Sequence, residues 1–418
     1  MLLNKPLVRY HSFDNRIQFP PKISSSILNE FGAAVKLWKL KRPFDLLTID
    51  FNSVEKPYPN GMLGILSTIS FLRNSGAKLK VILPNNSNVR RLFINNNWAH
   101  YLDNDFPVSE NKHERHLVTR QFKEFTEIAP IINDFMDVVL RSIRLPKDII
   151  SALEWSVNEI CDNVINHSDS ITGGFVQVVT FPTNNSLAFT VSDSGKGILK
   201  SLKEGIPTLQ TDSQAIGEAI KSGVTRNKEF GQGNGLAGTL RITTMTEGSL
   251  DITSGSARII STSSSNKVFE NEDLRAFDGT SISGQIITNK KFSISKALEF
   301  NGILYTPINI IDLEYEMKDQ DCLLLEMKKE TTGVGTRQSG KQMRNKINNL
   351  IQSKKGYPIY VDWNGIPVIS SSFADEFMGK LFLEIGPLNF SATIRNKNME
   401  PLIQQLLDKA ISQRLTQT

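Results

Sequence analysis

Glu159, Asn163 and His167 recur at steps of four in the stretch NEICDNVINHSDS, residues 158–170. Steps of four stack side chains on one stripe of a helix. A carboxylate and an amide one turn apart can act together on a small target. Glu159 can polarise a water or a hydroxyl, and the Asn163 side-chain oxygen suits a hard cation such as Mg²⁺. The same stripe also suits a solvated helix face. Apolar residues at Ile149, Leu153, Val157, Ile160 and Val164 form a separate face, and Pro146-Lys147-Asp148 is a good helix start. The spacing therefore predicts a helix that begins there and runs to about His167.

Two glycine motifs follow. In VSDSGKGI, residues 191–198, a strand ends in Asp193, and Gly195 and Gly197 let the backbone turn sharply and come close to a ligand. A carboxylate at a strand end can accept a hydrogen bond from an exocyclic amine such as adenine N6; DxGxG is also a common turn. In FGQGNGLAGTLRI, residues 230–242, Gly231, Gly233, Gly235 and Gly238 precede a helical pattern at Leu236 and Leu240. Backbone N–H groups bared by glycine at a helix start suit phosphates. The same letters also read GxGxxG, but TRNKEF before them is too polar for the buried parallel strand that a dinucleotide fingerprint follows.

Three blocks position these residues. In the first, about 20–110, strand patterns at 44–51 and 78–84 alternate with helical patterns at 61–76 and 88–102, which implies a parallel pair with a crossover helix. The polar stretch DFPVSENKHERH, residues 105–116, reads as a linker. The middle block opens with helices and turns to hairpin-like strands, FVQVVT and SLAFTVSD around a PTNNS turn, then SLDITS, ARIIST and TSISGQII. Residues 199–230 have little strand character. The third block, from about Thr306, repeats a string of the first: Ile49-Asp50-Phe51-Asn52-Ser53-Val54 against Val361-Asp362-Trp363-Asn364-Gly365-Ile366, each followed by a helical pattern.

Composition sets the outer bounds. The 418 residues suffice for several domains, and 39% hydrophobic with 22% charged residues is ordinary for a globular chain. The net charge of +5 is dispersed, so nucleic acid is not indicated. Two cysteines, Cys161 and Cys322, are too few for a disulfide framework or a thiolate metal site and point to a reducing cytoplasm. No run approaches 18 apolar residues, so no membrane span is expected. HERHL, residues 113–117, lacks both the HExxH zinc spacing and a long heptad run.

E-x-x-D-N-x-x-x-H, then DxGxG, then GxGxGL in that order resembles the GHKL superfamily, the Bergerat-fold or HATPase group of gyrase-type, Hsp90-type and MutL-type ATPases, histidine kinases and anti-sigma-factor kinases. The flanking blocks resemble STAS-like domains, known from anti-sigma-factor antagonists, most clearly at VISSSFADEF, residues 368–377. The resemblance implies a multidomain α/β chain: STAS-like domain 1–110, linker 111–120, a central GHKL α/β sandwich 121–290 and a second STAS-like domain 300–418. It implies ATP and Mg²⁺ as cofactors. Carried over, Glu159 is the catalytic base or its activator, and Asn163 binds the metal. Asp193 holds the adenine amine, with Gly195 and Gly197 shaping that pocket and Thr280 closing it. Gly231, Gly233 and Gly235 line the phosphates. Residues 199–230 become a mobile lid in which Arg226 and Lys228 reach toward them, and His167 is structural. Ser370, Ser371 and Ser372 stand where an antagonist is phosphorylated; a serine there is also the usual N-cap.

The expected function is an ATP-binding regulatory protein that hydrolyses ATP or transfers its γ-phosphate, with nucleotide state coupled to a protein partner through the STAS-like domains. A dimerising clamp ATPase of the Hsp90 or MutL kind, and an anti-sigma-like Ser/Thr kinase, are the alternatives. A homodimer is compatible with each.

Overall fold

The computed structural model describes residues 7–41, 45–109, 118–221, 223, 234–271, 275–317, 320–331 and 333–415. The chain is a mixed α/β multidomain fold with helices and several sheets. It divides into two compact units: Met1–Phe135 with Trp155–Thr306, and Met136–Glu154 with Pro307–Thr418.

The first unit is built on a seven-stranded antiparallel sheet. Its strand order is Asn266–Glu270, Ala257–Thr262, Ser249–Gly255, Phe277–Ile287, Ser186–Asp193, Gly174–Phe181 and Arg120–Phe122. The expected hairpin closes through Pro182–Asn184 and Asn185, whose φ of 46° is the left-handed turn that Asn tolerates. Successive side chains alternate between the two faces. One face carries Val176, Phe189, Val191 and Ile282, all buried. The predicted helix is present as Lys147–His167, and Val164 lies at this face against Gly174.

The other face of the sheet is polar, with Gln177, Thr190, Ser192, Ser281 and Asp251. It is covered by the first block rather than by water. Ser25 donates to Asp251 at 2.6 Å, Asn29 donates to the Gly255 carbonyl at 2.8 Å, Ser67 meets Ser192 at 3.3 Å, and the Trp98 indole donates to Gln177 at 3.2 Å. These bonds offset the desolvation of the groups that make them. The core of the first block takes in Phe175 and Phe277 of the large sheet.

That block has its own four-stranded sheet: Arg9–His11 antiparallel to Arg16–Gln18, then Leu47–Asp50 and Leu79–Ile82 in parallel. The parallel pair crosses over through the helix Pro59–Asn74, as its length predicts. The single helix expected over 88–102 is instead two, Ser87–Asn95 and Trp98–Leu102, because Asn97 turns the chain at φ 62°.

The second unit repeats this plan. Glu316–Met317 lies antiparallel to Cys322–Glu326, followed by Ile359–Asp362 and Ile394–Lys397 in parallel. The helix Arg337–Ser353 makes the first crossover and Pro401–Leu415 closes the chain's described part. The repeated string falls at the same place in both sheets, the end of the third strand. Asp50 accepts from the Asn52 N–H at 2.8 Å, and Asp362 from the Asn364 N–H at 3.0 Å. The Val54 N–H donates to the Phe51 carbonyl, and that of Ile366 to Trp363. Phe51 and Trp363 are wholly buried.

Arg337–Ser353 is an unusually polar buried helix. Asn349 donates to the carbonyls of Leu140 and Ile143 and accepts from the Leu145 N–H. Lys346, fully buried, pairs with Asp137 at 2.6 Å and with Glu330.

Candidate functional site

The Lys147–His167 helix places Glu159 and Asn163 one turn apart, both half-buried. The Glu159 carboxylate rests against the first residue of the helix Gly235–Met245: a Cβ on Gly235 would lie 2.4 Å from Glu159 Oε2. Only glycine leaves that space. Burial, and next the charge of Asp162 on the same helix, push the Glu159 carboxyl up to about 7. A carboxyl so placed changes charge near neutral pH, as a general base requires. A turn earlier the Trp155 ring covers Gly238, so the two helices meet along small residues.

The Asp193 turn is pressed against the far end of the same helix. A Cβ on Gly195 would stand 2.1 Å from the Ser168 carbonyl oxygen, which also accepts the Lys196 N–H at 2.7 Å. Asp193 is buried, and its Oδ1 accepts the Gly195 N–H at 2.8 Å. Burial pushes this carboxyl up to about 7, while N–H groups of Gly195 and Thr280 pull it the other way. Thr280 is its cross-strand partner. The Thr280 hydroxyl meets Ser254 Oγ at 3.2 Å, and Ser254 accepts the Ile198 N–H at 2.9 Å. Gly197, at φ 77°, starts the helix Gly197–Lys203.

One helix therefore touches both glycine motifs: Gly235 at Glu159, and Gly195 just past His167. Asn163 lies between these points. Asp193 bonds directly to Gly195 and Thr280, and a Cβ on Gly197 would stand 3.1 Å from Ser254 Oγ, which meets the Thr280 hydroxyl. Gly231, Gly233, Arg226 and Lys228 lie outside the described residues. The stretch expected to serve as a lid, 199–230, overlaps the helix Gly197–Lys203 and contains the helix Asp212–Ala219. Asp212 accepts from the Ser256 N–H and hydroxyl at 2.8 and 2.9 Å, which ties the second of these to the sheet.

Sequence reasoning gave no role to Ser254, Ser168 or Asp162. Ser254 and Ser168 are ordinary strand and loop serines whose role depends on register. Asp162 carried a signal, since it follows Glu159 by three residues on one helix. Among the described residues, no group of three or more His, Cys, Asp or Glu could hold a metal ion. A cation here would take few protein ligands, which is the usual habit of Mg²⁺ bound with phosphates. The half-buried Asn163 oxygen, a turn from Glu159, fits that donor set.

Residues 149–273 match the family described as histidine kinase-, DNA gyrase B-, and HSP90-like ATPase, and residues 339–404 match a STAS-like domain of unknown function (DUF4325). No curated protein matches the chain. The chain thus carries a GHKL-type ATPase domain, which implies ATP binding, commonly with Mg²⁺, and a STAS-like domain after it. The first match lies within the span expected from the motifs, and the second within the third block. Neither match reaches residues 1–110. Among the described residues, no helix is long and apolar enough to cross a membrane.

Proposed function

We propose that the chain is an ATP-dependent regulatory protein whose GHKL-type domain binds Mg²⁺-ATP and cleaves its γ-phosphate, with nucleotide state coupled to a protein partner through STAS-like domains. The observation that carries this reading is the contact between Glu159 and Gly235. It sets a carboxyl that titrates near neutrality at the start of the helix that follows the glycine-rich loop. In the reaction the Glu159 carboxylate takes the proton of the attacking water or serine hydroxyl as its oxygen bonds the γ-phosphorus and ADP leaves. Asn163 would hold the metal, which screens phosphate charge when bound. Asp193 receives the adenine amine, Gly195 and Gly197 shape its pocket, Thr280 closes it, and Gly231, Gly233 and Gly235 cradle the phosphates.

The first block is a second STAS-like domain in this reading. Its support is the shared strand order and the matched turns at Asp50 and Asp362.

The test combines melting with label transfer. Mg²⁺-ATP should raise the melting temperature, as ligand linkage requires. No shift with ATP, ADP or a non-hydrolysable analogue would sink the reading. With γ-labelled ATP, free phosphate selects hydrolysis, and label on a protein serine selects a kinase. Glu159→Ala should keep the melting shift and lose both products.

A further inference from the structure

The seven-stranded sheet ends at Asn266–Glu270, and all five residues of that strand are exposed. Val268 and Phe269 are 56% and 45% exposed. Proteins ordinarily blunt such an edge with charged side chains, a bulge, a proline or a cover. Lys267 and Glu270 put two charges on this one, with apolar Val268 and Phe269 between them. This strand has no proline and keeps an unbroken register with its inner neighbour, from Ala257↔Glu270 to Ser261↔Asn266. Among the described residues no strand pairs with its outer side.

The parity of the ladder decides which backbone groups face outward. The Thr262 N–H donates to the Ser265 carbonyl at 2.9 Å, and the Asn271 N–H to the Ser256 carbonyl at 3.0 Å. Both bonds continue that register at its two ends. Bonded and non-bonded pairs alternate along an antiparallel ladder. Lys267 and Phe269 therefore direct their N–H and C=O inward, and Asn266, Val268 and Glu270 direct theirs outward.

We propose that this edge pairs antiparallel with the same edge of a second copy of the chain, about a two-fold axis at Val268. Such an axis stands normal to the sheet and opposes residues of equal parity, because only then do opposed side chains share a face. Centred on Val268, it opposes Val268 with its own copy, Asn266 with Glu270, and Lys267 with Phe269. All three outward residues then meet outward partners, two backbone bonds for each of three opposed pairs. The side chains match in two of the three kinds of pair: Val268 meets Val268, and the Asn266 amide meets the Glu270 carboxylate, which also accepts from the Ser213 hydroxyl. In the third, Lys267 joins Arg258 at the Phe269 ring. Centring on Phe269 instead opposes Val268 with Glu270 and leaves Asn266 without an opposed outward residue in the strand. Five residues a side make an interface smaller than the ~800 Å² a side of a stable complex, so the pairing is weak and depends on concentration. The joined sheet has seven strands from each copy. Its two Lys147–His167 helices lie on one side.

Sedimentation equilibrium of the full chain over a hundred-fold concentration range tests this. The weight-average mass should rise from 46.8 kDa toward twice that value. Val268→Lys and Val268→Glu each set like charges across the axis, and each chain alone should stay monomeric. Mixed one to one, they oppose unlike charges and should recover the dimer. Val268 is exposed, so both variants should melt with the parent, which separates lost pairing from lost folding. A parent that stays monomeric throughout overturns the proposal. Dimers of Val268→Lys alone overturn it, since an uncompensated charge is then tolerated at the supposed axis. A mixture that stays monomeric overturns it too.

Discussion

Glu159 and Gly235 share one small space: the carboxylate oxygen lies where the first side-chain carbon of any other residue at 235 would have to go. Gly235→Ala should therefore displace the carboxylate without unfolding the chain. The obstructing atom ends a flexible side chain, and alanine favours a helix over glycine by about 1 kcal/mol. The melting temperature should hold or rise slightly, while ATP turnover at saturating ATP falls by about 100-fold, the lower end of a general-base contribution. Unchanged turnover would show that Glu159 does not work from this position.

The pH dependence of Glu159 has a definite sign. Its carboxyl titrates at about 7 in the folded chain against 4.5 for the unperturbed group. Between those values the folded chain binds more protons than the unfolded one, so stability from this group falls as pH rises from 4.5 to 7 and is level above. Glu159→Gln should unfold harder than the parent at pH 8, by about 1–2 kcal/mol once partial exposure is allowed for. The gap should close at pH 4. Parent turnover should climb through pH 7, where the carboxyl ionises, and the variant should show no such limb. Denaturant melts and a pH–rate profile read the two effects separately.

Gly195→Ala meets an obstacle of a different kind. Its Cβ would stand 2.1 Å from the Ser168 oxygen and 2.7 Å from the Ser168 carbonyl carbon, both backbone. No rotamer relieves that clash, so urea unfolding should show a loss of about 1–3 kcal/mol. The turn that carries Asp193 would shift with it, and the ATP-induced rise in melting temperature should shrink or vanish. Gly217→Ala is the control. A Cβ there meets nothing within 4 Å, and the variant should keep both properties.

Lys346 is the buried charge whose removal should matter most in the second unit. Its ammonium pairs with Asp137 and Glu330 and stands 5.0 Å from the Tyr315 ring centre. Lys346→Met leaves two carboxylates with Arg141 and the Tyr315 hydroxyl and should cost about 3–5 kcal/mol in a denaturant melt. Adding Asp137→Asn and Glu330→Gln to the same chain removes the stranded charge and should recover most of that loss. If the single variant is as stable as the parent, the pairing contributes nothing net.

Much of the local architecture was legible because it follows from short-range rules. The helix Lys147–His167 announces itself by a Pro start and an apolar face, and the hairpin from Gly174 to Asp193 by its turn residues. The likeness of the first and third blocks showed in one six-residue string, and the structure sets both copies in the same kind of turn. The break at Asn97 was not legible, since the helical pattern continues through it and only the backbone angle reveals the left-handed residue. Nor was the polar face of the large sheet. Gln177, Thr190 and Ser192 alternate with apolar residues as they would on a solvated sheet, yet a second layer buries them.

Residue type and spacing alone marked the groups proposed to meet a nucleotide: an acid and an amide on one helix stripe, an acid at a strand end, and glycines before a helix. These are properties of neighbours within a few residues, and backbone geometry translates them directly into shared faces and turns. Tertiary structure alone decided that Gly235 abuts Glu159, that Gly195 abuts Ser168, and that Thr280 stands opposite Asp193. Those pairs lie tens of residues apart, and only strand register and close packing, which act across the whole chain, can bring them within bonding distance.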